Sequence, residues 1–309
     1  MDLKYKMFVE QLRRELLLAT GLKADRIFYV PGGGKLSSDG DRLFIVCAQA
    51  EEAREVCGLF LGELYQCFLD GVSLDEILQR ILKELEKIAT SGFYEKTRRL
   101  ADYSLAKEDL FIRLLNYENN KKDLQYAVYY RLGDIALVLY MKVAERDGCI
   151  TSIKIRKDHV EKWGEDERSV FKEALKNTYR ISPPRAYRWE QMFYDEKYQG
   201  DDFMKEDTNF HLNTAPVGNC ISTLTRTNGA VAIFLPGVAE KISEELGQDL
   251  YLAFTSIHEV MVHGANIVDE EEIRDVLRET IDEATPESDY LTSGLYLYSR
   301  KQKKFKFLG

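Results

Sequence analysis

Histidine and cysteine are scarce in this chain: four His and five Cys among 309 residues that carry 52 Asp and Glu. The segment His258-Glu259-Val260-Met261-Val262-His263 comes closest to a metal motif. A zincin places its histidines at i and i+4 on one helical face, with the glutamate as base. Here the spacing is i and i+5, which puts the rings about 140° apart around a helix and on opposite faces of a strand. The segment reads as a strand with His258 or Glu259 on its solvent side, and no metal site is expected. Gly32-Gly33-Gly34-Lys35 invites a phosphate-loop reading, but Leu36 stands where a Walker loop needs Ser or Thr, Tyr29 stands where its first glycine belongs, and Ser37-Ser38-Asp39-Gly40 follows instead of a helix. No Gly-x-Gly-x-x-Gly opens a helix and no Gly-x-Ser-x-Gly elbow occurs, so no cofactor is expected.

Two further polar groups sit beside apolar runs. Arg131 and Asp134 flank Leu132-Gly133 between two apolar strands, and Asn177-Thr178-Tyr179-Arg180 precedes Ser182-Pro183-Pro184 at the end of a helix. Their plain readings are an ion pair across a turn and a helix C-terminal cap. Together with His258 and Glu259, the residues Arg131, Asp134, Asn177 and Arg180 are the candidate ligand-binding positions. Carboxylate-rich stretches such as Asp201-Asp202, Asp269 to Glu272 and Glu279 to Glu283 read as solvated faces.

The bulk numbers restrict the partners. With 45% hydrophobic and 31% charged residues the chain is globular, and its length suggests about two domains. Lys and Arg total 43, so the formal charge is −9. That sign disfavours nucleic acid, whose phosphates it repels. The one basic cluster, Arg300, Lys301, Lys303, Lys304 and Lys306 interleaved with Phe305 and Phe307, reads as the wet face of a last strand. No run of 18 apolar residues spans a membrane, and the amphipathic start lacks the apolar core of a secretory signal. Cys47, Cys57, Cys67, Cys149 and Cys220 form no C-x-x-C pair and are odd in number, which fits buried thiols in a reducing cytoplasm.

The elements that must position these residues follow from periodicity. Helices are predicted over 5–19, 51–69, 74–89, 108–117, 157–163, 165–177, 237–246 and 268–284. The clearest is 74–89, where Ser73 and Glu76 form a capping box ahead of the stripe Leu74, Ile77, Leu78, Ile81, Leu82, Leu85 and Ile88. Gly247 suits a left-handed stop. Strands are predicted over 26–30, 42–47, 126–132, 134–144 and 149–156, the last with Cys149, Thr151, Ile153 and Ile155 inward and joined to its predecessor at Asp147-Gly148. Further strand pairs are 220–225 with 230–235 around Thr227-Asn228-Gly229, 249–255 with 258–263, and 294–298 with 303–307. The polar stretch 90–108, with Ser91-Gly92 and the charges from Glu95 to Arg99, marks a boundary near residue 100. The expectation is an α+β protein: a small N-terminal α/β part (1–100), then a mainly antiparallel C-terminal domain (101–309) of ββα units in series.

Several of these segments carry a family resemblance. Gly62 to Glu76, Leu114 to Asn120, Tyr130 to Tyr140, Trp163-Gly164, Ala174 to Arg180, Leu224 to Val238, Asp249 to Val262 and Tyr296-Leu297-Tyr298 resemble, in order and spacing, the bacterial family known as domain of unknown function 5688. The stretch 26–56 departs from that pattern. The C-terminal ββα region also bears a fainter likeness to domain of unknown function 1444. The resemblance implies a bacterial origin and no particular activity. Without a catalytic signature, and with 18 Tyr and 15 Phe that serve interfaces as well as cores, the sequence predicts a cytoplasmic, non-enzymatic binding or regulatory module for a protein, peptide or small-molecule ligand. The alternative is a hydrolase-type enzyme whose site gathers Arg131, Asp134, His258 and Glu259 in one pocket.

Overall fold

Phe8, Val9, Leu12 and Leu16 recur at helical spacing and are the buried side chains of α1 (Leu3–Thr20). In the computed structural model, residues 3–33, 40–49, 54–90, 99–146, 149–195, 197–206 and 211–309 are described. The chain divides into two compact units, Met1–Arg99 and Leu100–Gly309.

In the first unit, β1 (Ile27–Val30), β2 (Arg42–Gln49) and β3 (Arg54–Phe60) form an antiparallel sheet in that order. Ile27, Leu43 and Ile45 alternate onto the face that meets α1, α2 (Leu61–Leu69) and α3 (Leu74–Thr90), joining Leu12, Leu16, Leu61, Ile77 and Ile81 in one core. Each such fully buried aliphatic contributes about 2 kcal/mol. Ser73 caps α3 by accepting from the Glu76 N–H at 3.2 Å, while the Glu76 carboxylate pairs with Arg80 at 2.7 Å rather than reaching back. The helix predicted over 51–69 starts only at Leu61. Residues 54–60 are a strand because pairing with β2 satisfies their backbone, and Cys57 and Leu59 reach the core at period two. Gly34 to Asp39, Ser91-Gly92, the charged stretch up to Arg98 and the Asp147-Gly148 turn lie outside the described residues.

The second unit contains two antiparallel sheets. A short helix α4 (Tyr103–Ala106) leads to β4 (Leu110–Asn116), α5 (Tyr117–Leu124), β5 (Tyr129–Leu132), β6 (Ile135–Arg146) and β7 (Cys149–Lys154). The long β6 pairs with β4 along one edge and with β5 and then β7 along the other. After α6 (Lys157–Trp163) and α7 (Glu167–Ile181) come β8 (Pro184–Tyr187), α8 (Trp189–Tyr194), β9 (Asn219–Thr223), α9 (Val238–Leu246), β10 (Leu250–Ala253), β11 (Val260–Gly264), α10 (Glu270–Ala284), β12 (Leu295–Ser299) and β13 (Lys304–Phe307). The second sheet runs β13-β12-β10-β11-β9-β8.

Several expectations change here. Residues 110–116 are a strand, not part of a helix over 108–117, and Asn119 to Lys122 lie inside α5 instead of ending a helix. A short apolar run cannot be told from a helix by spacing alone, and β4 buries side chains on both faces. The Thr227-Asn228-Gly229 hairpin does not form: residues 229–234 make a 3-10 helix, because β9 already has β8 on one edge and β11 on the other. Hairpin followed by helix therefore holds for β6–β7 with α6 and α7 and for β10–β11 with α10, but not between them. The strand predicted over 258–263 begins at Val260, leaving His258 and Glu259 in the connection before it. On β7 Thr151 is exposed, while Ile155, just past its end, is buried.

The two sheets meet at the β5–β6 turn. The Phe307 ring of β13 lies between Gly133 and Gly294, and a Cβ at either glycine would overlap it. Gly294→Ala is expected to lower stability by about 2 kcal/mol, as overpacking in a filled core does. Urea unfolding checks this, and an unchanged midpoint would show that Phe307 is not clamped.

Candidate functional site

The sequence-predicted positions separate in space. Arg131 stacks over Tyr117 at 3.7 Å and pairs with Glu118 at 3.3 Å instead of with Asp134. Asp134 accepts from the Thr292 hydroxyl at 2.8 Å and from the fully buried Tyr296 hydroxyl, while its carbonyl accepts from the Tyr117 N–H at 2.7 Å. Asn177 and Arg180 are not a C-terminal cap, since α7 continues to Ile181. The Asn177 amide donates to the Lys107 carbonyl at 2.6 Å, and Arg180 holds the Glu108 carbonyl at 3.1 Å and its carboxylate at 2.8 Å. Between them Thr178 accepts from the Ile112 N–H at 2.9 Å and thereby covers part of the free edge of β4.

His258 is a buttress. Its Nδ1 accepts from the Asn228 N–H at 3.1 Å, which leaves the proton on Nε2, facing Asp289 at 3.3 Å. The Ser222 hydroxyl donates to the His258 carbonyl at 2.7 Å rather than to its ring, so the three residues are not arranged as nucleophile, base and orienting acid. Glu259 accepts from Thr255 at 2.7 Å and Ser256 at 3.2 Å. His263 turns instead to the Pro216 carbonyl at 2.9 Å. Among the described residues, no three His, Cys, Asp or Glu side chains gather as a metal-binding group. In the glycine loop, the Gly32 N–H already donates to Asp41 at 2.8 Å, and Tyr5 donates to the same carboxylate at 3.2 Å. Those bonds to the charged form hold the Asp41 carboxyl below its ordinary range, the Gly32 N–H contributing most.

One depression of the second unit combines enclosure, apolar walls and convergent polar groups. It has a volume of about 280 Å³ and lies among β4, Ile150 of β7, the end of α7, and the turn that follows β9. Phe111, Ile112, Ile150, Ile181 and Val231 supply apolar surface; Ser182, Thr223, Thr225 and Thr227 supply hydroxyls. The hydroxyls are ordered among themselves, with Ser182 Oγ 2.8 Å from Thr225 Oγ1 and accepting the Thr225 N–H at 3.1 Å. The turn holding them is strained: Arg226 (φ 60°) and Asn228 (φ 54°) both lie in the left-handed region, which costs a non-glycine residue about 1 kcal/mol each. His258 stabilises it through the Asn228 N–H. Gly229 is required behind the turn, because a Cβ there would overlap Ser222 Oγ and approach the His258 carbonyl to 2.6 Å.

Arg113 is the one charged residue in the lining. Its guanidinium lies 5.2 Å from the Phe111 ring centre and 5.3 Å from that of Tyr140, and donates to the Ile150 carbonyl at 3.3 Å. Among the described residues no carboxylate pairs with it. Burial pushes its pKa down from the ordinary guanidinium value, with a smaller opposing effect from Tyr140. The sequence reading passed over Arg113 because a helix over 108–117 places a lone arginine harmlessly on a polar side. Read as a strand, a single cation inside Leu-Phe-Ile-Arg-Leu-Leu is the anomaly that marks the site.

The fold is thus mixed α+β with antiparallel sheets, and a small, partly open cavity lies near a buttressed turn. The sequence pattern of the family described as "Family of unknown function (DUF5688)" matches residues 40–300, and the chain belongs to that family. The fainter likeness to domain of unknown function 1444 has no such support. No curated protein and no solved structure matches the chain. No helix among the described residues is long and apolar enough to cross a membrane.

Proposed function

We propose that this chain is a non-enzymatic binding or regulatory module of the bacterial cytoplasm, and that its second unit receives a small organic ligand in the cavity between β4, α7 and the 224–228 turn. The observation that carries the reading is the lining itself. Apolar side chains face a set of mutually ordered hydroxyls, with a single cation and no carboxylate, imidazole, thiol or amine among the lining residues. Such a surface orients a ligand but supplies no proton acceptor for general-base chemistry. The volume is at the small end for ligand sites, which run from about 300 Å³, so the occupant is a compact molecule.

Ile181→Trp should fill the cavity from the end of α7 without burying a new charge. Ligand-observed NMR with a set of compact aromatic and branched aliphatic fragments is expected to show several binding the native chain and none binding the variant. Binding that survives the substitution, or no binding to either protein, would overturn the reading.

A further inference from the structure

The distribution of charge around the cavity narrows the ligand. A guanidinium offers five N–H donors in a planar fork that matches a carboxylate, and the described structure gives Arg113 one acceptor, the Ile150 carbonyl at 3.3 Å. The cation is half-buried beside Phe111 and Tyr140, so water solvates it incompletely, and among the described residues no carboxylate compensates it. An anion bound there would gain the interaction that the protein leaves open.

The remaining donors argue for a carboxylate over a phosphate. Phosphate sites combine several cations with a helix N-terminus or a nest of free backbone N–H groups. Here Arg113 is the sole cation in the lining. Two of the amides at the start of the neighbouring 3-10 helix are already taken, Asn228 N–H by His258 Nδ1 and Ala230 N–H by the Ile257 carbonyl. What remains beside the guanidinium is a set of neutral hydroxyls and a wall of Phe111, Ile150, Ile181 and Val231.

We infer that the cavity recognises a small organic monocarboxylate with an apolar body, its charge on Arg113 and its body against Phe111, Ile150, Ile181 and Val231. The inference rests on the cavity being the ligand site. It accounts for an arginine within an otherwise apolar stretch of a buried strand, a placement that folding alone disfavours.

Phenylacetate, its neutral isostere phenylacetamide and the cation phenethylamine serve as probes of one body with three heads. Calorimetric titration of the full chain is expected to rank phenylacetate above phenylacetamide by about tenfold or more, the scale of a charge-assisted hydrogen bond, with phenethylamine weakest. Arg113→Gln should remove the preference for the acid while leaving the amide's affinity within about twofold, and that retained binding doubles as the control for folding. Arg113→Lys, which keeps the charge and loses the fork, should fall between. Equal affinity for acid and amide in the native chain, or a preference for the acid that survives Arg113→Gln, overturns the monocarboxylate inference while leaving the cavity as the site. Failure of all three probes to bind, or binding of all three that persists in Ile181→Trp, overturns both.

Discussion

Asp134→Ala is expected to lower the stability of the chain by about 3 kcal/mol, the upper part of the range for leaving buried hydrogen-bonding groups without their partner. The carboxylate accepts from Thr292 and Tyr296, both fully buried. Its loss leaves the Thr292 hydroxyl without an acceptor for its proton, its oxygen still accepting from the Gly294 N–H at 2.9 Å, and leaves the Tyr296 hydroxyl with only the Leu132 carbonyl at 3.2 Å. The damage spreads, because this contact joins the β5–β6 turn to β12, alongside the Phe307 ring held between Gly133 and Gly294. Asp134→Asn keeps an acceptor and should lose about half as much. Urea unfolding of the three proteins measures the differences. A change below about 0.5 kcal/mol, the size of an ordinary surface substitution, would show that Asp134 does not join the sheets, and would return it to the list of groups free for chemistry.

Stability should also fall steeply above about pH 10, the ordinary ionisation range of tyrosine. Tyr296 and Tyr187 are buried and Tyr140 is largely so, and burial raises the pKa of all three, helped at Tyr296 by its bond to Asp134. Each therefore stays protonated in the folded chain at a pH where the unfolded chain has lost the proton. The folded state then binds more protons, so stability falls as pH rises. The contribution is complete below the unfolded value and is lost as pH climbs towards the folded ones. Three such groups give a slope of about 4 kcal/mol per pH unit once the unfolded tyrosines ionise. Cys220, pushed up to about 12 by burial, steepens the loss from its own lower unfolded value upward. The test is denaturant unfolding at several pH values from neutral to strongly alkaline, with tyrosinate absorbance followed in parallel. A flat stability profile across that interval would contradict it.

Elements with strong local signals were readable without coordinates. The α3 stripe behind Ser73, α9 ending at Gly247 in the left-handed conformation, the β10–β11 pair and the β12–β13 hairpin all lie where periodicity and turn chemistry put them. The errors fall where two periods fit one short apolar run. Leu110, Phe111, Leu114 and Leu115 satisfy helical spacing, yet they belong to a strand buried on both faces, and Cys57 and Leu59 reach the core at strand period inside the stretch predicted as a helix over 51–69. Asn228-Gly229 carries a hairpin's composition, but both edges of β9 were already taken by distant strands.

The candidate site was the least legible part, for a related reason. Arg113, Ser182, Thr223 and Thr225 span more than a hundred residues of chain, and only Arg113, once its neighbours are read as a strand, is unusual in its own neighbourhood. The amino-acid order alone determined the α+β class, most antiparallel hairpins and most helices, because these follow from spacings within one or two turns of chain; the family rests on the match over residues 40–300. Only the tertiary structure decided which polar groups lock distant segments together, as Asp134 and His258 do, and which one finds no carboxylate among the described residues, as Arg113 does. Burial and partnering are properties of three-dimensional neighbours, and the energy of a charge depends on what surrounds it rather than on what precedes it along the chain.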